Sequence, residues 1–227
     1  MKPFWWAPAV AVLAGLAIGA ALAGRLVSPL AGFIVFTLSG AIGFILGLAF
    51  AGLGLYRLML RDDGARRALV TAAIPLLAGV AVLGSLLSTP GARYNDVATD
   101  LADPPLFLAG PAASLPHPDD FRAWHRQTYA DLAPATLSVS TDAAFAKAKA
   151  LIESKSWTIT AEAPGKGLIQ ALARTAVFGF EDDVVVRIRA SGSQSVVDLR
   201  SRSRVGRGDR GVNAARIRDF LAAMKRP

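Results

Sequence analysis

The sequence predicts an α-helical membrane anchor of about three transmembrane helices, followed by an α+β domain in which helices cover one face of a two-layer antiparallel sheet. Two observations support this division. The first 90 of the 227 residues hold three long runs that are almost free of charge, whereas the remainder shows strand and helix periodicities. We therefore expect an anchor over residues 1–90, an extended linker or arm over 91–135 and a folded domain over 136–227.

The amino-acid composition excludes several kinds of chemistry. The chain has a net charge of +8 and no cysteine, so disulfides, thiolate metal sites and cysteine nucleophiles are excluded. With only two histidines, His117 and His125, we expect no metal site and no cofactor. After Arg93 there are 18 basic residues against 15 acidic ones, so the domain is only mildly basic and its positive charge is local.

The three uncharged runs have the lengths of membrane spans, at about 4–24, 29–55 and 68–88. Residues 21–23, Ala-Leu-Ala, also have the small-x-small form of a signal-peptide cleavage site, so a cleaved first segment is an alternative. Glycine pairs four residues apart are spaced for close helix packing, although glycine is common in membrane helices in any case. These pairs are Gly15 with Gly19 and Gly43 with Gly47.

The loop charges predict the orientation of the anchor. Only Arg25 lies between the first two runs, whereas four arginines lie between the second and third: Arg57, Arg61, Arg66 and Arg67. Because positive loops stay in the cytoplasm, we expect a multi-pass protein of the cytoplasmic (inner) membrane. Its N-terminus would be inside and its C-terminal domain extracytoplasmic.

The segment from residue 88 to 134 is rich in Pro, Gly, Asp and Ala and lacks a sustained periodicity, which predicts an extended arm lying against the domain. Asp96, Asp100 and Asp103 suggest a calcium loop as an alternative. Their spacing lacks the EF-hand glycine and terminal glutamate, so we expect no metal there.

The C-terminal domain is predicted to have the element order β-α-β-β-β-β-α. Its first strand lies near 136–140, and Ser140 or Thr141 can cap the helix that follows. Two strands surround a Pro-Gly-Lys-Gly turn, a second hairpin comes next, and a final amphipathic helix ends the chain. These later elements are expected at about 157–162, 168–173, 181–204 and 212–224.

The second hairpin can be predicted residue by residue, because Gly192-Ser193 fits the centre of a type II′ turn. This register pairs Ser191 with Gln194 and brings apolar residues onto one face. It also places acids opposite bases, pairing Arg187 with Asp198, Asp183 with Arg202 and Glu181 with Arg204. Arg200, opposite Val185, is left without such a partner, and Asp182 falls on the apolar face opposite Ser203 as either a structural buried acid or a site residue.

The candidate site centres on the basic turn, residues 199–213, where the last strand passes through glycines into the final helix. A helix start beside Arg207, Arg210 and Arg216 suits a phosphate or carboxylate. Asp209 opposes this interpretation, because it can accept the free helix amides itself, and internal ion pairs can engage the arginines. The candidate binding residues are Asp182, Arg200, Ser201, Ser203, Arg204, Arg207, Asp209, Arg210, Asn213 and Arg216.

Several short motifs resemble a known family. They are Tyr94-Asn95-Asp96 with Thr99-Asp100 and Asp103-Pro104-Pro105, then residues 178–184 (FGFEDDV), then Arg200–Gly206 with Asp209, 211–214 (GVNA) and Arg216-Ile217. In this order they resemble domain of unknown function 1499, over about Arg93 to Ala223. The resemblance implies a domain that is often found behind membrane helices in bacteria, and it implies no activity.

We expect an uncharacterised membrane-anchored protein of the cell envelope, whose outer domain is a binding or accessory module for an anionic ligand. One alternative is an assembly partner of another envelope protein. Another is a carboxylate-dependent hydrolase using Asp182 with Ser201 or Ser203, although no base that could activate a serine is evident and no catalytic residue is assigned. Expected partners are the lipid bilayer and an anionic envelope ligand or envelope protein. Nucleic acid is disfavoured, because the basic turn lacks interleaved aromatic residues.

Overall fold

The computed structural model describes residues 7–87, 94–110, 121–206 and 208–226, and it divides into two compact units. The first is built from apolar helices near the N-terminus. The second is an antiparallel sheet domain with helices. This confirms the predicted fold class at the level of an apolar helical region followed by an α+β domain.

Three helices form the N-terminal unit: α1 (Ala7–Leu26), α2 (Pro29–Met59) and α3 (Ala65–Leu87). Ser28 caps α2, since its Oγ accepts the Ala31 amide at 3.1 Å, and Pro29 occupies the first helical position. Residues 29–59 and 65–84 are long and apolar enough to cross a membrane. Apolar side chains such as Ile34 and Ile42 are exposed on α2, as in a helix that faces lipid.

Glycines bring α2 close to its neighbours. A Cβ added at Gly47 would lie 2.6 Å from Leu76 of α3, and one at Gly32 would lie 2.5 Å from Gly24 of α1. Such contacts require glycine, as at the small-residue interfaces of membrane helices. Of the predicted glycine pairs, Gly43 and Gly47 are therefore buried in packing, whereas Cβ atoms at Gly15 and Gly19 would meet nothing within 4 Å.

The C-terminal domain has the order β-α-β-α-β-β-β-β-α, with one strand and one helix more than predicted. Its elements are β1 (Asp96–Ala98), α4 (Phe121–Thr128), β2 (Ala135–Leu137), α5 (Thr141–Ser154), β3 (Thr158–Ala163), β4 (Leu168–Arg174), β5 (Glu181–Ser191), β6 (Gln194–Ser203) and α6 (Val212–Lys225). The sheet runs β1-β6-β5-β4-β3 with all pairs antiparallel, and β2 also pairs with β6.

Within the segment expected as an arm, 91–135, the described residues 94–110 and 121–135 contribute elements and core residues to the C-terminal unit. They supply β1 and α4, and Val97, Phe107 and Phe121 are buried. The sequence pattern missed this because β1 has three residues and α4 only eight, too few to show a period.

The core lies between the sheet and helices α5 and α6. Ile152 of α5 and Phe220 of α6 are fully buried in one cluster with Val186 and Leu199 of the sheet. Residues 103–110 cover part of the opposite face, where Phe107 packs on Val185. Both faces of the central strands are therefore buried.

The hairpin register is confirmed at every predicted pair within the two strands, including Ser191 with Gln194 and Arg187 with Asp198. Gly192 has φ 61°, as the first central residue of a type II′ turn requires.

Candidate functional site at the basic turn

The basic turn enters α6 through residues in the left-handed region. Gly206 and Gly211 have φ of 89° and 81°, and Arg210 has φ 58°. Asp209 spans this turn: its Oδ1 accepts the Gly211 amide at 3.0 Å and its Oδ2 accepts the Asn213 amide at 2.7 Å. Amides that an anion could bind at the helix start are therefore already engaged by a carboxylate. Burial raises the pKa of Asp209, with the hydrogen bonds from these groups opposing that shift.

A polar cluster behind this turn joins β6 to α6. Its centre is the fully buried Asn213, whose Oδ1 accepts from Ser201 Oγ at 2.5 Å. The Asn213 Nδ2 donates to Ser203 Oγ at 3.0 Å and to the Asn95 carbonyl at 2.9 Å. Asn95 in turn donates to the carbonyls of Ser203 and Gly206. The side-chain amide of Asn213 is thus satisfied by groups from two other chain segments, β6 and the residue before β1.

Asp182 belongs to the same polar cluster and is paired. Arg216 Nη2 lies 2.5 Å from Asp182 Oδ2, and the two side chains are 10% and 3% exposed. Arg216 Nη1 also donates to Ser201 Oγ at 2.9 Å, and its guanidinium lies over the Trp157 ring at 6.0 Å. Ser201 itself is fully buried, so a substrate cannot reach its hydroxyl while α6 is in place.

Arg204 lies on the opposite face of the sheet with Arg200 and Arg202, and these three residues are called the arginine cluster. The Nε and Nη2 of Arg204 bind the two oxygens of Asp183 at 2.8 Å each, and its Nη1 binds Glu181 at 2.8 Å. These carboxylates raise the pKa of Arg204. The predicted pairing of Arg204 with Glu181 is therefore present. Asp183 lies opposite Arg202 in the sheet, as the register predicted, but its carboxylate binds Arg204, and Arg202 lies 3.4 Å from Asp96.

The prediction that Arg200 lacks a partner is wrong. Its Nε and Nη2 bind the carboxylate of Asp96 at 3.0 and 2.8 Å, and its guanidinium lies 4.8 Å from the centre of the Phe107 ring. Arg200 is 5% exposed. Its partner comes from β1, which the sequence pattern did not predict.

The structure divides the predicted site between the two faces of the sheet. Ser201 and Ser203 face α6, together with Asp182, Asp209, Asn213 and Arg216, whereas Arg200, Arg202 and Arg204 lie on the other face. Neighbours along a strand point to opposite faces, so a run of polar residues does not make one site. Arg210 is exposed within the turn, and Arg207 lies outside the described residues.

Other polar residues that hold the domain together had no assigned role in the sequence. Gln170 is 1% exposed, and its side chain accepts the amides of Leu108 and Ala109 at 2.6 and 3.0 Å. Thr99 Oγ1 accepts the Leu199 amide at 2.9 Å. Thr99 lies in one of the motifs that resemble the family, and this motif could have indicated that the residue has a role. No motif or pattern in the sequence singled out Gln170.

The aspartates considered for a calcium loop have different partners. Asp96 binds Arg200, Asp103 binds Arg187 at 2.8 Å, and Asp100 accepts the amides of Ala102 and Asp103. The hydrogen bond that the backbone amide of Asp103 donates to Asp100 is the main reason why the pKa of Asp100 is lowered. Within the described residues there is no group of three metal-ligating side chains.

A groove of about 510 Å³ opens between the start of α5, the β3–β4 turn and the end of β5. Its lining combines apolar residues, among them Phe145 and Ile188, with the cationic Lys166 and Arg189. Arg189 is held by Asp198 at 2.8 Å. A Cβ added at Gly165, in the turn, would meet nothing within 4 Å. The groove is thus a concave surface with room for side chains or a ligand.

Asp96, Arg204 and the polar cluster centred on Asn213 all lie within the segment that matches a family model, residues 96–224, described as a protein of unknown function (DUF1499). This match covers more than half of the chain. The chain belongs to the DUF1499 family. No curated protein matches it significantly. The DUF1499 description carries no activity, so function rests on the geometry of this domain.

Proposed function

We propose that this DUF1499 protein is a membrane-anchored accessory protein of the cell envelope, whose C-terminal domain is a binding module outside the cytoplasmic membrane. The apolar exposed surfaces of α2 and α3 support the anchor. The arginines at the end of α2, in the connection and at the start of α3 support a cytoplasmic loop there; they are Arg57, Arg61, Arg66 and Arg67. With α1 as a further span, the N-terminus is inside and the domain outside.

The observation that carries the binding role is the groove at the start of α5. Its volume falls in the range of ligand sites, and its lining combines apolar residues with two cations, Lys166 and Arg189, and one exposed carboxylate, Asp142. Lys166 supplies an exposed positive charge at its rim. We infer that the groove binds a partner or ligand carrying both apolar and anionic groups.

The internal contacts of the basic turn favour the groove over the turn as the binding site. Asp209 holds the amides at the helix start, and Arg200 and Arg204 each bind a carboxylate through two atoms. Ion pairs of this geometry are strong, so a ligand there would have to displace them. The buried Ser201 and Asp182 likewise act in the fold, which disfavours a hydrolase built on them.

An alkaline phosphatase fusion at the C-terminus tests the orientation. The proposal expects phosphatase activity in cells, because this enzyme is active only outside the cytoplasm. A green fluorescent protein fusion at the same position is the complementary control. Fluorescence without phosphatase activity would contradict the proposed orientation.

The groove is tested by filling it. Gly165 has room for a side chain and lacks a positive φ, so Gly165→Tyr should block the groove without backbone strain. Ser193→Tyr, at the exposed hairpin tip, is the matched control. After purification in mild detergent, we expect a co-purifying partner or ligand to be lost from Gly165→Tyr and retained by Ser193→Tyr. Equal retention by both variants would place binding elsewhere and favour assembly through another surface.

A further inference from the structure

His125 of α4 is a buried histidine outside the basic turn and the groove. It is 1% exposed, and its ring centre lies 5.5 Å from those of both Phe121 and Tyr129 and 6.4 Å from that of Trp124. A histidine enclosed by aromatic rings is poorly placed to carry a charge.

The hydrogen bonding of His125 defines its neutral form. Its Nε2 accepts the backbone amide of Ala98 in β1 at 3.3 Å, so the lone pair is on Nε2 and the ring proton is on Nδ1. In the part of the chain that the structure describes, the buried Nδ1 has no hydrogen-bond partner. One bond to a backbone amide therefore joins α4 to β1, and it exists only while Nε2 is unprotonated.

A second proton would bind at Nε2. Because the backbone N–H of Ala98 points at the same atom, two hydrogen-bond donors would then face each other and the hydrogen bond would be lost. Burial also disfavours the cation and is the main reason why the pKa of His125 is lowered, although Asp96 opposes the shift. Asp96 of β1 acts electrostatically on the ring, and Asp96 itself binds Arg200 and Arg202 of β6. Tyr129, which contacts the ring, is acted on by Asp209 and Arg218. Burial raises the pKa of Tyr129 to about 12, so it is neutral at physiological pH.

His125 is hydrogen-bonded to β1. Residues in and just before this strand bind both the polar cluster centred on Asn213 and the arginine cluster. Asn95, just before β1, binds the carbonyls of Ser203 and Gly206, and Asp96 binds Arg200. Ala98 lies opposite Arg200 in the sheet. Movement of β1 away from β6 would therefore remove partners from the basic turn and from Arg200 together.

We propose that His125 is an acid-sensitive latch whose protonation releases the Ala98 amide and loosens α4 and β1 from the sheet. The sign follows from a pKa that is lower in the folded protein than in the unfolded chain. The stabilisation is complete above about pH 6.5 and is lost as the pH falls, by at most about tenfold in the folding equilibrium constant per pH unit, until the folded pKa is reached. This inference does not depend on the groove.

Hydrogen exchange of the full-length protein in detergent micelles tests the latch. Exchange over 94–101 and 121–129 is compared at pH 7.5 and 5.5, after correction for the intrinsic exchange rates. His125→Gln keeps an acceptor for the Ala98 amide at both pH values, and His117→Gln is the matched control, because these are the two histidines of the chain. We expect wild type and His117→Gln to lose at least about fivefold protection at pH 5.5, and His125→Gln to lose none. Unchanged protection of the wild type, or the same loss in His125→Gln, would overturn the proposal.

Should His125→Gln fail to fold, the His117→Gln protein still decides the question, because it retains one histidine. Its imidazole resonances are followed by NMR against pH. A titration midpoint well below 6.5, accompanied by shifts of the Ala98 amide, supports the latch. A midpoint at or above 6.5 overturns it.

Discussion

Replacing Arg216 by methionine should lower the unfolding free energy of the C-terminal domain by about 3–5 kcal/mol, because it leaves a buried carboxylate uncompensated. Asp182 is 3% exposed on its side chain, and Arg216, 2.5 Å away, is the basic side chain paired with it in the described residues. The change also removes a donor from Ser201 and Asn213. Methionine retains much of the aliphatic volume, so the loss should come mainly from the unpaired charge.

The double variant Asp182→Leu with Arg216→Met separates the ion pair from packing. Removing both charges should recover most of the loss, since replacing a complete buried pair by apolar residues is often neutral or stabilising. The full-length protein in detergent is unfolded with urea and followed by near-ultraviolet circular dichroism. A loss below about 1 kcal/mol for Arg216→Met, or a double variant as unstable as the two single losses combined, would refute the reasoning.

Three further predictions use matched positions or pH. Gly167→Ala should cost at least about 1–2 kcal/mol, because φ is +63° and the added Cβ would lie 2.1 Å from a backbone oxygen, whereas Gly165→Ala should change the unfolding free energy by less than about 0.5 kcal/mol. In detergent, Gly47→Leu should lower the thermal midpoint of the helical unit, while Gly52→Leu, at an open position, should not. Burial raises the pKa of Asp209 in the folded state, so its protonated form is favoured there. Wild-type stability should therefore fall as the pH rises from about 4 through that raised pKa, and Asp209→Asn should remove this slope in urea titrations.

Periodicity and turn chemistry predicted the second hairpin because both constraints agree. The glycine at position 192 fixes the turn, and a shift of one residue would move arginines onto the apolar face that α5 and α6 cover, so only one register satisfies the sequence. The spacing of apolar residues also predicted the last helix, which begins at Val212 as expected. Long elements with redundant signals were therefore predictable.

The partners of the polar residues were less predictable, because they come from short segments distant in sequence. Asp96 lies 104 positions from Arg200, in a strand of three residues. Neither hydrophobic alternation nor turn type indicates such a strand. Once β1 is placed, Arg200 changes from a free cation into a buried partner of Asp96. The division of the basic turn between two faces followed from strand geometry, but the identity of each partner required the fold.

The most direct test of the internal role of the basic turn is hydrogen exchange over residues 199–213 in anion-free full-length protein, repeated with millimolar inorganic phosphate. The amides of Leu199, Ser203, Arg204, Gly211 and Asn213 all have acceptors within the domain. We expect these amides to be protected without phosphate and unchanged by its addition. Rapid exchange of these amides that slows only when phosphate is added would contradict an internal role and restore the turn as an anion site.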